Sequence, residues 1–174
     1  MASTYELIAS QTLESAAASV TFDGIPQTFD DLVVLASIRS NYTGNASYTD
    51  ALMQFNDDAG SNYPWKYLGG TGTGTRTGGG TGTAVQLGMA TTMGAPATPN
   101  TFTPVEVYVP NYAGSSYKSV QSIGAHEVNA TNAYLYNFAT VWNNTSAITK
   151  IVFSLNQGLY TANSSFYLYA FSNS

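Results

Sequence analysis

The chain contains no cysteine. That excludes a disulfide framework, a cysteine zinc cluster and a thiol nucleophile. At 174 residues it is long enough to bury a core without such staples. Charge is scarce as well. Asp, Glu, Lys and Arg make up 9% of the residues, against about a quarter in an ordinary soluble domain. Five scattered bases in a chain of net charge −5 cannot neutralise a phosphate track, so no nucleic-acid partner is expected. No apolar run reaches the roughly 18 residues of a spanning helix, so no membrane partner is expected either. The opening MASTYELIASQTLES has no basic n-region and no long apolar stretch, and export by the general secretory route is not expected. The sequons at Asn41, Asn45, Asn129, Asn143, Asn144 and Asn163 follow from a composition rich in Asn, Ser and Thr.

What is present is aromatic. Thirteen Tyr and eight Phe accompany abundant Ser, Thr, Asn and Gly, and such residues favour pleated sheet over helix. A hydrogen-bonding surface with few charges also lacks the mutual repulsion that keeps molecules apart, which suits a protein that assembles. Helical periodicity is confined to Leu13–Ala18, too short to stand alone. Period-2 patterning predicts ten strands: Tyr5–Ser10, Ser19–Ile25, Leu32–Ser40, Ala51–Asn56, Ala84–Ala90, Val105–Val109, Val120–Val128, Tyr134–Trp142, Ile148–Leu155 and Phe166–Ser172. Turn signals such as Asp23-Gly24, Asp57-Asp58-Ala59-Gly60 and Asn156-Gln157-Gly158 separate them. Even spacing of short strands over this length predicts an all-β fold, a jelly-roll-like antiparallel two-sheet sandwich forming one domain over residues 1–174.

Residues 69–83, GGTGTGTRTGGGTGT, break the pattern with eight Gly, six Thr and Arg76. They contain no apolar residue to offset the entropy of ordering glycine. The segment reads as a surface loop or hairpin tip, or as an arm that orders against a neighbouring subunit through Arg76. Phe166-Tyr167-Leu168-Tyr169-Ala170-Phe171 carries apolar or aromatic residues on both faces, as does Leu32-Val33-Val34-Leu35. Both faces of these strands are expected to be covered, the outer one by a loop or by another subunit. Tyr167, Tyr169 and Phe171 are therefore candidate interface residues, together with Arg76.

No constellation points to catalysis or to a cofactor. Asn56–Asn62 resembles part of a calcium loop, but Tyr67 stands where the bidentate Glu of an EF-hand belongs, so turn formation is the stronger reading. His126, the single histidine, has no G-x-S-x-G nucleophile turn to serve. The Gly-Thr tract lacks the Lys of a phosphate-binding loop and precedes no helix. Tyr63, Trp65 and Tyr67, read as exposed, are candidates for stacking on a glycan.

Tyr5-Glu6-Leu7-Ile8, Ser19-Val20-Thr21-Phe22 with Ile25-Pro26, and Asp31-Leu32-Val33-Val34 ending in Ser37-Ile38-Arg39-Ser40 form one set of signatures. Phe55-Asn56 with Gly60-Ser61-Asn62-Tyr63, Val107-Tyr108-Val109-Pro110-Asn111-Tyr112, Glu127 with Asn129-Ala130-Thr131, and Ser164-Ser165-Phe166-Tyr167-Leu168-Tyr169 continue it. Together they resemble a family of small tailed-phage virion proteins known largely from aquatic and cyanobacterial phages. The resemblance implies a non-enzymatic capsid decoration or cement protein, assembled into the virion in the host cytoplasm. Its partners would be the major capsid protein and further copies of itself, with a trimer preferred from lattice geometry. The alternative is a tail module that binds a host glycan.

Overall fold

A computed structural model describes residues 5–44, 48–128 and 132–172. Sequons Asn45 and Asn129, and the Asn129-Ala130-Thr131 element of the resemblance, lie outside the described residues. Twelve strands follow one another: β1 (Glu6–Thr12), β2 (Ser19–Asp23), β3 (Asp31–Ile38), β4 (Tyr48–Phe55), β5 (Tyr63–Thr71), β6 (Gly74–Gly82), β7 (Val85–Met93), β8 (Thr103–Val109), β9 (Lys118–Val128), β10 (Asn132–Trp142), β11 (Lys150–Leu155) and β12 (Ser165–Phe171). The fold is all-β, with two antiparallel sheets and no helix among the described residues. Leu13–Ala18 is not helical. It passes from β1 to β2 through a bend and a single bridge, Ala17 to Tyr160. One short apolar stretch cannot supply the cost of starting a helix.

The sheets are unequal. The larger runs β1-β12-β3-β8-β9-β10-β5-β6 and the smaller β2-β11-β4-β7. Alternation explains how they stack. Val20 and Phe22, Met53 and Phe55, Val85 and Leu87, and Ile151 and Phe153 turn one face of the small sheet inward. Leu32 and Val34, Val105, Val107 and Val109, and Phe166, Leu168 and Ala170 meet them from the large sheet. Phe153 packs on Phe166 at 5.1 Å and Phe55 on Trp142 at 5.3 Å, measured between ring centroids across the layers. Burying each such side chain contributes about 1.5–3 kcal/mol. The layers pinch together where β7 crosses β9. Ser122 Oγ donates to the Gln86 carbonyl at 2.6 Å, and a Cβ on Gly124 would lie 3.4 Å from the Leu87 carbonyl oxygen.

Ten strands follow the predicted segments. The two others, β5 and β6, correct the reading of the Gly-Thr tract as a loop or arm. Residues 74–82 pair with β5 from Gly74↔Thr71 to Gly82↔Tyr63 without a register shift. Gly72, at φ 56°, makes the turn between them. Because β9–β10 and β5–β6 extend the large sheet beyond the small one, β5 and β6 project as a shelf.

Candidate interaction surface

Side chains of the large sheet that point away from the core form a second face, and no strand layer among the described residues covers it. The pairing registers lay out its rows. One runs Tyr167, Leu35, Glu106, Ile123, Asn137, Leu68 from β12 to β5. The next runs Leu7, Tyr169, Val33, Tyr108, Gln121, Ala139, Lys66. Leu35, Ile123, Leu135 and Leu68 are exposed, the last at 63%. Two shallow depressions cross this face. One of about 540 Å³ lies between Tyr167, Leu35, Ile123 and Leu135, and one of about 770 Å³ between Tyr108, Gln121, Asn137 and Lys66. Lys66 and Glu106 are the exposed charges in these rows.

The predicted interface residues divide between two places. Tyr167, Tyr169 and Phe171 all stand on this face, half-buried. The expectation that a loop covers the outer face of β12 and β3 is corrected: Leu35 is 40% exposed, and the cover within the chain is limited to neighbouring side chains. Tyr5 lies 4.7 Å from Phe171 and 6.4 Å from Tyr169, and Tyr108 stacks on Phe171 at 6.2 Å. Tyr108 Oη donates to Asp31 Oδ2 at 2.7 Å, while the Asn111 amide donates to Asp31 Oδ1 at 2.8 Å. That bond to a buried carboxylate, with burial behind it, pushes the Tyr108 hydroxyl up to about 12. The ring is thereby locked in place. Arg76 sits apart, exposed on β6 at the far edge, six strands from β12 and so about 29 Å away.

The candidate glycan aromatics fall on the opposite side, the inward face of the shelf. Tyr63 is fully buried and donates to the Asp58 carbonyl at 3.1 Å, which corrects its reading as exposed. Trp65 and Tyr67 are half-buried and stacked at 5.9 Å. Their rings lie over the glycines of β6. A Cβ on Gly78 would come 2.7 Å from Tyr67 Cε1, and one on Gly80 3.1 Å from Trp65 Cζ2. Aromatic rings laid across strand glycines replace the packing that those glycines cannot supply. This is why a tract without apolar residues is ordered.

The remaining polar groups are occupied in holding loops. Asp58 accepts from Trp142 Nε1 at 2.8 Å and from Asn62 Nδ2 at 3.0 Å, and these bonds, Trp142 first, hold its carboxyl below the usual range. Asp57 pairs with Lys150 at 2.8 Å and Asn56 caps Thr149, so the stretch read as calcium-like serves as a turn. Lys118, fully buried, donates to the carbonyls of Gly114, Ser116 and Ser146, and burial lowers its affinity for a proton. Arg39, 8% exposed, donates to the carbonyls of Gly94, Ala97, Thr98 and Thr101. No sequence pattern signals these two cages, because backbone carbonyls recruited from distant loops leave no mark in composition. His126 is shut between Tyr134 at 4.8 Å and Tyr48 at 5.7 Å, and burial pushes its imidazole down to about 4.

Comparison with protein-family models, curated proteins and solved structures finds no match to this chain.

Proposed function

We propose that the chain is a non-enzymatic structural component of a phage particle. It is a capsid decoration or cement protein, seated on the major capsid protein by the outer face of its eight-stranded sheet. The observation that carries this reading is the uncovered face itself. Tyr167, Tyr169, Leu35, Ile123, Leu135 and Leu68 lie on one continuous surface with a single exposed charge of each sign. Contiguous apolar area of this kind marks a protein–protein contact, and depletion of charge with enrichment in Tyr is the composition of an interface centre.

The connectivity supports the reading. Setting aside the β5–β6 and β9–β10 hairpins, the remaining eight strands read 1-8-3-6 in one sheet and 2-7-4-5 in the other. We read this as the double Greek key of a jelly roll, an architecture used by viral capsid domains and lectins. The sequence resemblance to small virion proteins points the same way. The polar side chains that chemistry would require are committed elsewhere: Asp58, Asp57 and Lys118 to loops, His126 to a ring stack.

The copy number of the chain in purified virions tests the proposal. Hundreds of copies per particle place it on the capsid, about a dozen place it on the tail, and its absence refutes a virion role. A second reading, recognition of a host glycan from the tail, rests on the half-exposed Trp65–Tyr67 stack. It requires that the wild-type protein bind host polysaccharide and that Trp65→Ala lose that binding while keeping the fold.

A further inference from the structure

We propose that β6 is a pairing edge for β6 of a second copy, the two strands joining antiparallel about Gly78 so that two eight-stranded sheets become one. The inference stands apart from the virion reading and is tested without a virion.

Unpaired strand edges are templates for another strand, and proteins blunt them with charge, bulges or shortness. The two sheets have four edges: β1, β6, β2 and β7. Three are blunted. β1 carries Glu6 and a register shift between Leu7 and Ala9. β2 is five residues long and ends on Asp23. The β4–β7 ladder shifts register twice. β6 has one charge, as β1 has, but neither a register shift nor a short span. Its nine residues, GTRTGGGTG, are in unbroken register with β5 and contain no proline. Its only charge is Arg76. Every second residue of such a strand turns its N–H and C=O away from β5. Five glycines leave that backbone open to close approach.

The strand is also complementary to itself. Read antiparallel about Gly78, Gly74 meets Gly82 and Thr75 meets Thr81 of the second copy. Arg76 then meets Gly80, and Thr77 meets Gly79, so the two arginines do not oppose each other. Threonines directly across from each other are a favourable cross-strand pair. Arg76 faces the inner side with Gly78 and Gly80, and the Trp65 ring spreads over Gly80. Pairing in this register therefore brings the guanidinium of one copy to the Trp65 face of the other, a cation over an aromatic ring. Among the described residues Arg76 makes one hydrogen bond, from Nε to Thr71 Oγ1 at 3.3 Å. The resulting contact is two-fold, whereas the three-fold preference rested on lattice geometry alone.

Thr75 and Thr81 are exposed on the side away from Trp65, which makes them suitable probes. Sedimentation equilibrium of the full chain should show a reversible dimer. Thr75→Lys with Thr81→Lys sets like charges opposite each other twice and should weaken the dimer about tenfold or more. Thr75→Lys with Thr81→Glu sets opposite charges in both pairs and should restore it, with circular dichroism showing all three proteins equally folded. A wild-type monomer at about 100 µM, in the weak-affinity range, overturns the proposal. So does a double-lysine variant that dimerises like the wild type, or a Lys/Glu variant as weak as the double lysine.

Discussion

Replacing Arg39 by Met removes the cation that ties the segment between β7 and β8 to the end of β3. Arg39 Nη1 donates to the Thr98 carbonyl at 2.8 Å and the Thr101 carbonyl at 2.9 Å, and Nη2 reaches those of Gly94 and Ala97, each at 3.1 Å. The two Nη2 bonds are buried and the two Nη1 bonds partly so. Methionine fills much of the volume but leaves the Ala97 carbonyl without that donor, at about 1–3 kcal/mol. The Gly94 carbonyl keeps the Ala97 amide at 3.2 Å and loses a charge-assisted bond, at about 1.5–3 kcal/mol. The Thr98 and Thr101 carbonyls can turn to water, since Pro99 and Asn100 are exposed. Burial disfavours the guanidinium charge, so relief of that desolvation offsets part of the loss. The net expectation is about 3 kcal/mol, a sizeable share of a usual margin of about 5–15 kcal/mol. For a chain of this length that corresponds to a fall in Tm of roughly 6–12 °C. Arg39→Lys keeps the charge but has one nitrogen for four carbonyls, and should fall between the two. Calorimetry or urea unfolding measures all three. An Arg39→Met protein that melts within about 2 °C of the wild type would show that the carbonyl cage contributes nothing and refute the reasoning.

Three further outcomes are expected. His126 is neutral in the fold down to about pH 4, whereas an unfolded chain takes up the proton near the ordinary value of 6.5; its contribution is complete above 6.5 and is lost as pH falls toward 4, by up to about 3 kcal/mol. His126→Phe should flatten the urea midpoint across that window, and an unchanged slope would assign the acid sensitivity to other groups. Gly78→Val must displace the Tyr67 ring and should cost about 1–2 kcal/mol, whereas Gly70→Val, with no atom closer than 4.0 Å to its added Cβ, should be neutral; equal melting of the two variants would mean that the rings do not pack on β6. Tyr169→Asp changes a half-buried ring on the outer face, so the free protein should lose no more than about 1–2 kcal/mol while capsid-shell binding in a co-sedimentation assay is abolished; undiminished binding would remove this face from the contact.

Alternation along the chain determined the fold class and ten of the twelve strands, because burial on one side of a pleated strand repeats every second residue whatever its partners are. The chain also determined the cysteine-free, charge-poor surface and the candidates Tyr167, Tyr169 and Phe171, whose odd numbers share one face of β12. It could not determine whether that face is covered. The answer depends on whether a loop or a third layer folds over the side of the large sheet turned away from the small one, a fact of long-range packing. Nor could it reveal β5 and β6: glycine and threonine have no hydrophobic period, and the Trp65 and Tyr67 rings lie over Gly80 and Gly78 of β6, and Tyr136 over Gly69 of β5, where side chains are missing. Tyr63, two residues from Trp65 on the same strand face, is buried while Trp65 is half-exposed, because Tyr63 lies beneath Asp58 and Phe55 at the strand's start. Arg39 and Lys118 look like ordinary surface bases in the sequence. Only the tertiary structure, by folding loops of carbonyl oxygens around them, turned them into buried cations that hold the chain together.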